Sequence, residues 1–377
     1  MKFIHTADWQ LGMTRRFLDA EAQARFSQAR IESIRSIGRL AAEHVCPFVV
    51  VCGDVFETNY VDRQVVVRAL DAMAETPDVD FYLLPGNHDP ITASSVFTSQ
   101  TFTSRKPANV HVLDSVGPYE AAEGVEIVAA PWASKAPLTD LVMQAIDTVP
   151  ASDDVRIVVG HGAVDTLSPD ANDPSVIVQA DAESAIGDGR VQYVALGDRH
   201  STTDVGTTGR IWYSGAPEPT AFRETNPGKA LVVEVGETEI AVETVSVAAW
   251  SFHSLEFDLR SSGDVDDVES TLDAMEDKAV SIVQLELVGQ LSLGEKVRLD
   301  AIIEHFSDLY ASLTIWERHT DLVVLPDDDD FALLPLSGFA RDALDELVEA
   351  ASSGDDDDAS VAQDALGLLY RFAGGAE

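Results

Sequence analysis

The 377-residue chain is 45% hydrophobic, enough for one large domain and something smaller. Its 65 acidic and 25 basic residues give a formal charge of −40, which excludes nonspecific attraction to nucleic acid, so any phosphate backbone must be met by a local basic patch or bound cations. No apolar run approaches the ~18 residues of a membrane span, residues 1–5 turn polar too soon for a signal peptide, and the two cysteines, Cys46 and Cys52, sit in or beside an apolar run, as reduced core residues of a cytoplasmic protein would.

In chain order, residues 2–5 form a short apolar strand ending in Thr6-Ala7-Asp8-Trp9-Gln10. Residues 21–43 have helical apolar spacing at Phe26, Ile34, Ile37 and Ala41. Residues 48–52 are a continuous apolar run, as in a strand buried on both faces, and end in Gly53-Asp54. A helix over 61–74 precedes the strand 81–84, which stops at Pro85 and leads into Gly86-Asn87-His88-Asp89. Further strands are expected at 111–113 and 125–129, and a helix at 138–148. The strand 156–159 ends in Gly160-His161, and the strand 192–196 ends in Gly197-Asp198-Arg199-His200. Between these two strands lies an acidic, turn-rich segment, 165–181, which reads as a surface insertion. Strands at 211–214 and 231–235 flank Gly215-Ala216-Pro217-Glu218.

Alternating strands and helices predict an α/β sheet. The later strands have fewer helices between them, which predicts a second, more antiparallel sheet and hence a two-sheet sandwich with helices outside. The expected domains are 1–248, a small α+β module at 249–326, and an acidic linker with a helical hairpin at 327–377. The hairpin, helices at 337–351 and 359–372, is either a flap on the core or a docking element.

Taken alone, each polar strand end would be an ordinary turn. Five apolar runs, however, each deliver oxygen or nitrogen donors at their ends, where functional groups gather in open α/β sheets. The carboxylate, imidazole and amide donors, without cysteine, suit Mn²⁺, Fe²⁺ or Zn²⁺. Two such ions bridged by Asp54 would clamp a phosphoester and supply hydroxide near neutral pH. His88 would face the phosphate as proton donor or charge stabiliser, and Asp89 beside it would fix its orientation.

In this order, the motifs around Asp8, Asp54, Asn87-His88-Asp89, His161 and His200 resemble those of the calcineurin-like metallophosphoesterases. His5-Thr6-Ala7-Asp8-Trp9, Gly53-Asp54-Val55-Phe56 and Tyr213-Ser214-Gly215-Ala216-Pro217-Glu218 resemble its SbcD-type DNA repair nuclease branch more closely. The resemblance is strong over 1–235, weaker over 250–326, where the branch has a capping domain, and only architectural at the C-terminus, where it has helices that dock on a partner. It implies a dinuclear metallophosphoesterase sandwich cleaving DNA, with two divalent ions, Mn²⁺ foremost. It further implies a homodimer and an SbcC-like coiled-coil ATPase partner. Asp8, Gln10, Asp54 and His200 would surround one ion and Asp54, Asn87, His161 and Asp198 the other, with His88 as the catalytic histidine. Two positions depart from the pattern: Gln10 and Asp198 stand where the family usually has His. A small-substrate phosphoesterase, or a weakly active structural subunit binding DNA ends or an ATPase, are the alternatives.

Overall fold

The computed structural model describes residues 1–170, 172–236, 239–325, 337–353, 361–362, 365 and 369. Spatial contacts divide the chain into two units, Met1–Ser251 and Phe252–Glu377.

The first unit is built on two six-stranded sheets. In one, β1 (Lys2–Thr6), β2 (Phe48–Val51), β3 (Asp80–Leu83) and β4 (Val110–Val112) run parallel side by side. In the other, β5 (Gly117–Ala122), β6 (Val125–Ala129), β7 (Val155–His161), β8 (Tyr193–Gly197), β9 (Thr203–Val205) and β10 (Ile211–Tyr213) take the order β5-β6-β7-β8-β10-β9. The first sheet is completed on the other side of β1 by β11 (Lys229–Val235) and then β12 (Ile240–Ser246), both antiparallel.

Because successive strand residues face opposite sides, alternate positions go to different layers. Phe3, Phe48, Val50 and Tyr82 meet Ile127, Ile157, Val159 and Tyr193 between the sheets. The alternate residues Ile4, Val49, Val51 and Phe81 pack under α1 (Ala20–Glu43) and α2 (Arg63–Ala74), against Ile34, Ile37, Leu70 and Met73. On the far side, Val128, Val158 and Val194 pack under α4 (Leu141–Ile146) and α5 (Gln179–Gly187). A short α3 (Gln100–Arg105) adds Phe102 to the first helical layer. Each large apolar side chain buried this way contributes about 1.5–3 kcal/mol. The four layers leave the carboxyl ends of β1, β2, β3, β7 and β8 side by side.

The predicted α/β two-sheet sandwich with outer helices is therefore the observed fold. One expectation is corrected: the second sheet is no more antiparallel than the first. Each has three parallel and two antiparallel pairs. The crossover helices α4 and α5 are only six and nine residues long, too short for a clear period. For the same reason the segment 165–181 is not wholly an insertion, since α5 begins at Gln179.

The second unit holds β13 (Ser251–Leu259), β14 (Ser281–Ser292), β15 (Ser312–Ile315) and β16 (Asp321–Leu325) in one sheet, with β15 and β16 both parallel to β14. Its core joins Val265, Val268 and Leu272 of α6 (Ser262–Ala274) to Leu299, Ile302 and Phe306 of α7 (Leu293–Ser307). Ser292 and Glu295 form a reciprocal cap at the start of α7. A further helix, α8 (Phe339–Ser353), corresponds to the expected helix at 337–351. The acidic run 327–330 and most of the expected helix 359–372 lie outside the described residues. Among the described residues no helix is long and apolar enough to cross a membrane.

Candidate metal centre

Three turns at the ends of β1, β2 and β8 bend through left-handed backbone. Asp8 (φ 53°), Gln10 (φ 43°), Asp54 (φ 52°) and Asp198 (φ 99°) are four of the seven described non-glycine residues with positive φ. Such positions cost on the order of 1–3 kcal/mol each and persist where surroundings over-determine them. Here the turns hold one another. Asp8 N donates to Gly53 O (3.1 Å), Gln10 N to Asp54 O (2.8 Å), and Asp198 N to both carboxylate oxygens of Asp8 (3.1 and 3.2 Å). Gly53 (φ +88°) is required by space as well as backbone, since a Cβ there would lie 2.1 Å from His161 Nδ1.

The turns bring buried donors together. Asp8, Asp54 and His161 each offer an atom within 4.8 Å of the others. His161 Nε2 is 3.5 Å from Asp54 Oδ1 and 3.8 Å from Asp198 Oδ1. The Asn87 amide lies against the same group, its oxygen 2.8 Å from His161 Nε2. On the other side, Gln10 Nε2 approaches His200 Nε2 at 3.3 Å.

Three imidazoles are pinned through Nδ1. His161 Nδ1 donates to Cys52 O (2.8 Å), and His88 Nδ1 to Glu57 O (3.0 Å). His200 Nδ1 lies 2.7 Å from Thr220 Oγ1 and 3.1 Å from Glu224 Oε1. Each ring therefore turns Nε2 toward the donor group, the arrangement that orients histidine for a metal. Glu224, further fixed by Thr220 N and Thr220 Oγ1, orients His200 and was not found from the sequence. It lies in the loop after Tyr213-Ser214-Gly215-Ala216-Pro217-Glu218, and its spacing carries no signal. Glu57 and Cys52 act through backbone carbonyls, which no residue type announces.

His88 sits at the open edge, its side chain 39% exposed, with Nε2 4.0 Å from Asp54 Oδ2. Its backbone N donates to Asp54 Oδ1 (2.9 Å). The expectation that Asp89 orients the His88 ring is corrected. Asp89 is fully buried and its carboxylate is taken up by Phe56 N (2.9 Å) and Gly86 N (2.7 Å). It braces the turn after β2 against the turn after β3, while the Glu57 carbonyl orients the ring.

The electrostatics follow from burial and crowding. Burial raises the Asp8 carboxyl to about 7, against the pull of His200 and His161. Burial and the nearby Asp54 charge likewise raise Asp89 to about 7. For Asp54, burial acts upward, but the charge and hydrogen bond of His161 outweigh it and hold the group below its usual range. His161 is the converse: burial acts downward, and Asp54, Asp8 and Asp198 together push it well above an ordinary imidazole. His200 is raised because burial, which acts downward, is outweighed by the Glu224 bond and the Asp8 charge.

The residues fit a cation. As an oxygen, the Asn87 amide atom facing the group meets only acceptors, 3.1 and 3.2 Å from the two Asp54 oxygens and 2.8 Å from His161 Nε2; as nitrogen it would donate to Asp54 instead. Gln10 Oε1 is buried without a hydrogen-bond partner among the described residues. Divalent ions held on the two sides of Asp54 would satisfy both oxygens and the three converging carboxylates.

The chain belongs to the calcineurin-like phosphoesterase family, whose pattern matches residues 1–202. A comparison with curated proteins returned no match. Among solved structures, the protein TT1561 of Thermus thermophilus is 10% identical, with a TM-score of 0.40 over 65% of this chain and 98% of that one. A dimetal phosphatase from Danio rerio is 14% identical, with a TM-score of 0.40 over 65% of this chain and 96% of its own.

Proposed function

We propose that the chain is a divalent-metal phosphodiesterase that cleaves DNA, as the nuclease subunit of an SbcCD-like complex. The observation that carries hydrolysis is the convergence of Asp8, Asp54, Asn87, His161 and Asp198, with imidazole Nε2 atoms turned inward. DNA is favoured by the branch-like segments at 5–9, 53–56 and 213–218 and by the second unit. In the same reading residues 249–326 are a capping domain, the C-terminal helices dock on a coiled-coil ATPase, and the protein is a cytoplasmic homodimer.

Asp8, Gln10, Asp54 and His200 would hold one ion and Asp54, Asn87, His161 and Asp198 the other, with Mn²⁺ favoured over Fe²⁺ or Zn²⁺ by the oxygen-rich donors. Such ions, when bound, neutralise phosphate charge and lower the pKa of water. The chain's own residues do the rest. His88, held through Nδ1 by Glu57 O, offers Nε2 at the open edge to a phosphoryl or leaving oxygen. Burial of Asp8, Asp54 and His161 excludes bulk water beneath the substrate.

The test is Mn²⁺-dependent digestion of linear DNA by the wild type and by Asp54→Ala and His88→Ala. Asp54→Ala should abolish cleavage, and His88→Ala should lower it about 10²–10⁴-fold. Wild-type turnover in either variant refutes the assignment. The charge of −40 favours a second reading, a small phosphoester substrate. Hydrolysis of bis-p-nitrophenyl phosphate without DNA cleavage would select it.

A further inference from the structure

The turn after β1 does more than present Asp8 and Gln10. Residues 11–18 lie against the loop that carries Thr220 and Glu224, the two partners of His200. Arg15 Nη2 donates to Thr220 O (2.5 Å), and the Phe17 and Phe222 rings stand 6.4 Å apart at 44°. The plain structural reading is that these groups glue turn to loop. That task is already met by Arg30, which is fully buried and donates to Trp9 O (2.9 Å) and Pro219 O (3.2 Å). Phe17 instead stays 41% exposed.

Arginines flank both rings in the chain, Arg15 and Arg16 before Phe17 and Arg223 after Phe222, and Arg15 also faces the Glu57 and Glu224 charges. Arg15 Nε is buried without a hydrogen-bond partner among the described residues. Arg16 and Arg223, next to Phe17 and Phe222 in the chain, are exposed and make no ion pair among the described residues. In a chain where acidic residues outnumber basic ones 65 to 25, such a grouping beside the metal centre is unusual. A surface of this net charge repels a phosphate backbone at long range, so strand capture needs contacts that do not depend on net charge. Base stacking on aromatic rings is such a contact, since every base has a π-face.

We infer that Phe17 and Phe222, with Arg15 and Arg16 beside them, form a stacking site for an unpaired nucleobase of the strand whose phosphate is cleaved on the His200 side. This rests on the DNA reading above. The experiment uses the full chain with Mn²⁺ and two single strands of equal length, oligothymidylate and the same backbone carrying abasic residues. In the wild type, kcat/KM on the base-bearing strand should exceed that on the abasic strand by about tenfold or more. Phe17→Leu and Phe222→Leu should each bring that ratio down several-fold to tenfold, and Phe17→Trp should retain it. A wild-type ratio near one, or variants that slow both strands alike, overturns the stacking site and leaves DNA cleavage standing. Cleavage of neither strand, with bis-p-nitrophenyl phosphate still hydrolysed, removes the DNA reading and the stacking site together.

Discussion

At the scale of single residues, Gln10 is the departure with the clearest physical consequence. Its amide nitrogen donates to His200 Nε2 at 3.3 Å, engaging the lone pair a cation would use, while Oε1 is left without a partner among the described residues. A histidine there would offer a stronger donor. Gln10→His should therefore tighten the weaker of two metal-binding steps by at least about tenfold in a calorimetric titration, and an unchanged isotherm would show that Gln10 is no ligand. A second residue makes its own contribution to acid stability. His5 is fully buried, bonded to Tyr193 Oη (3.2 Å) and Leu196 O (3.1 Å), and burial lowers it from 6.5 to about 3. Between those values the unfolded chain carries a proton on His5 that the folded chain does not, so the contribution of this group to stability falls as pH drops below about 6.5. The slope from this one group is about 1.4 kcal/mol per pH unit. Asp8 and Asp89, both raised to about 7, contribute with the opposite sign over the same range. The His5 slope should therefore be read as the difference between wild type and His5→Gln in urea unfolding between pH 7 and pH 4, and parallel curves would refute it. Most ligand candidates were legible as polar residues closing apolar runs. Glu224, the Glu57 carbonyl and the true role of Asp89 were not, because each depends on contacts between loops far apart in sequence.

At the scale of elements, long periodic segments were easiest to recognise. The spacing of Phe26, Ile34, Ile37 and Ala41 matches the face of α1 that is buried, and the run 48–52 matches β2 almost to the residue. Strands β5, β9 and β12 were missed because they are short or polar and owe their form to pairing rather than composition. Helix α7 illustrates a local contribution that can be measured alone. Ser292 Oγ accepts from Glu295 N (3.3 Å), and Glu295 Oε2 accepts from Ser292 N (2.8 Å). Ser292→Ala should cost about 1 kcal/mol. The second unit should lose that stability, read as faster amide hydrogen exchange across α7 in the full chain, and exchange identical to wild type would mean that the cap adds nothing in context.

At the scale of the whole molecule, the charge of −40 predicts that the fold is more stable in concentrated salt. Like charges at this density repel across the surface, and at 1 M salt the screening length falls to about 3 Å. The thermal midpoint should climb through a molar KCl series, and a rise no larger than that of a neutral control protein would discard salt adaptation as the reason for the acidic composition. Sheet order has a separate consequence. The part of the chain matched by the family pattern ends at residue 202, yet β1 is flanked on one side by β11, paired from Lys2 opposite Glu234 to His5 opposite Leu231. A chain stopping at 202 would leave a central strand as a raw, apolar edge, the kind of template that recruits other chains. It would also lack Thr220 and Glu224. The smallest self-sufficient hydrolase in this protein is thus longer than its recognisable motifs, and the turn that carries Asp8 is secured by one of the last strands of its domain to leave the ribosome.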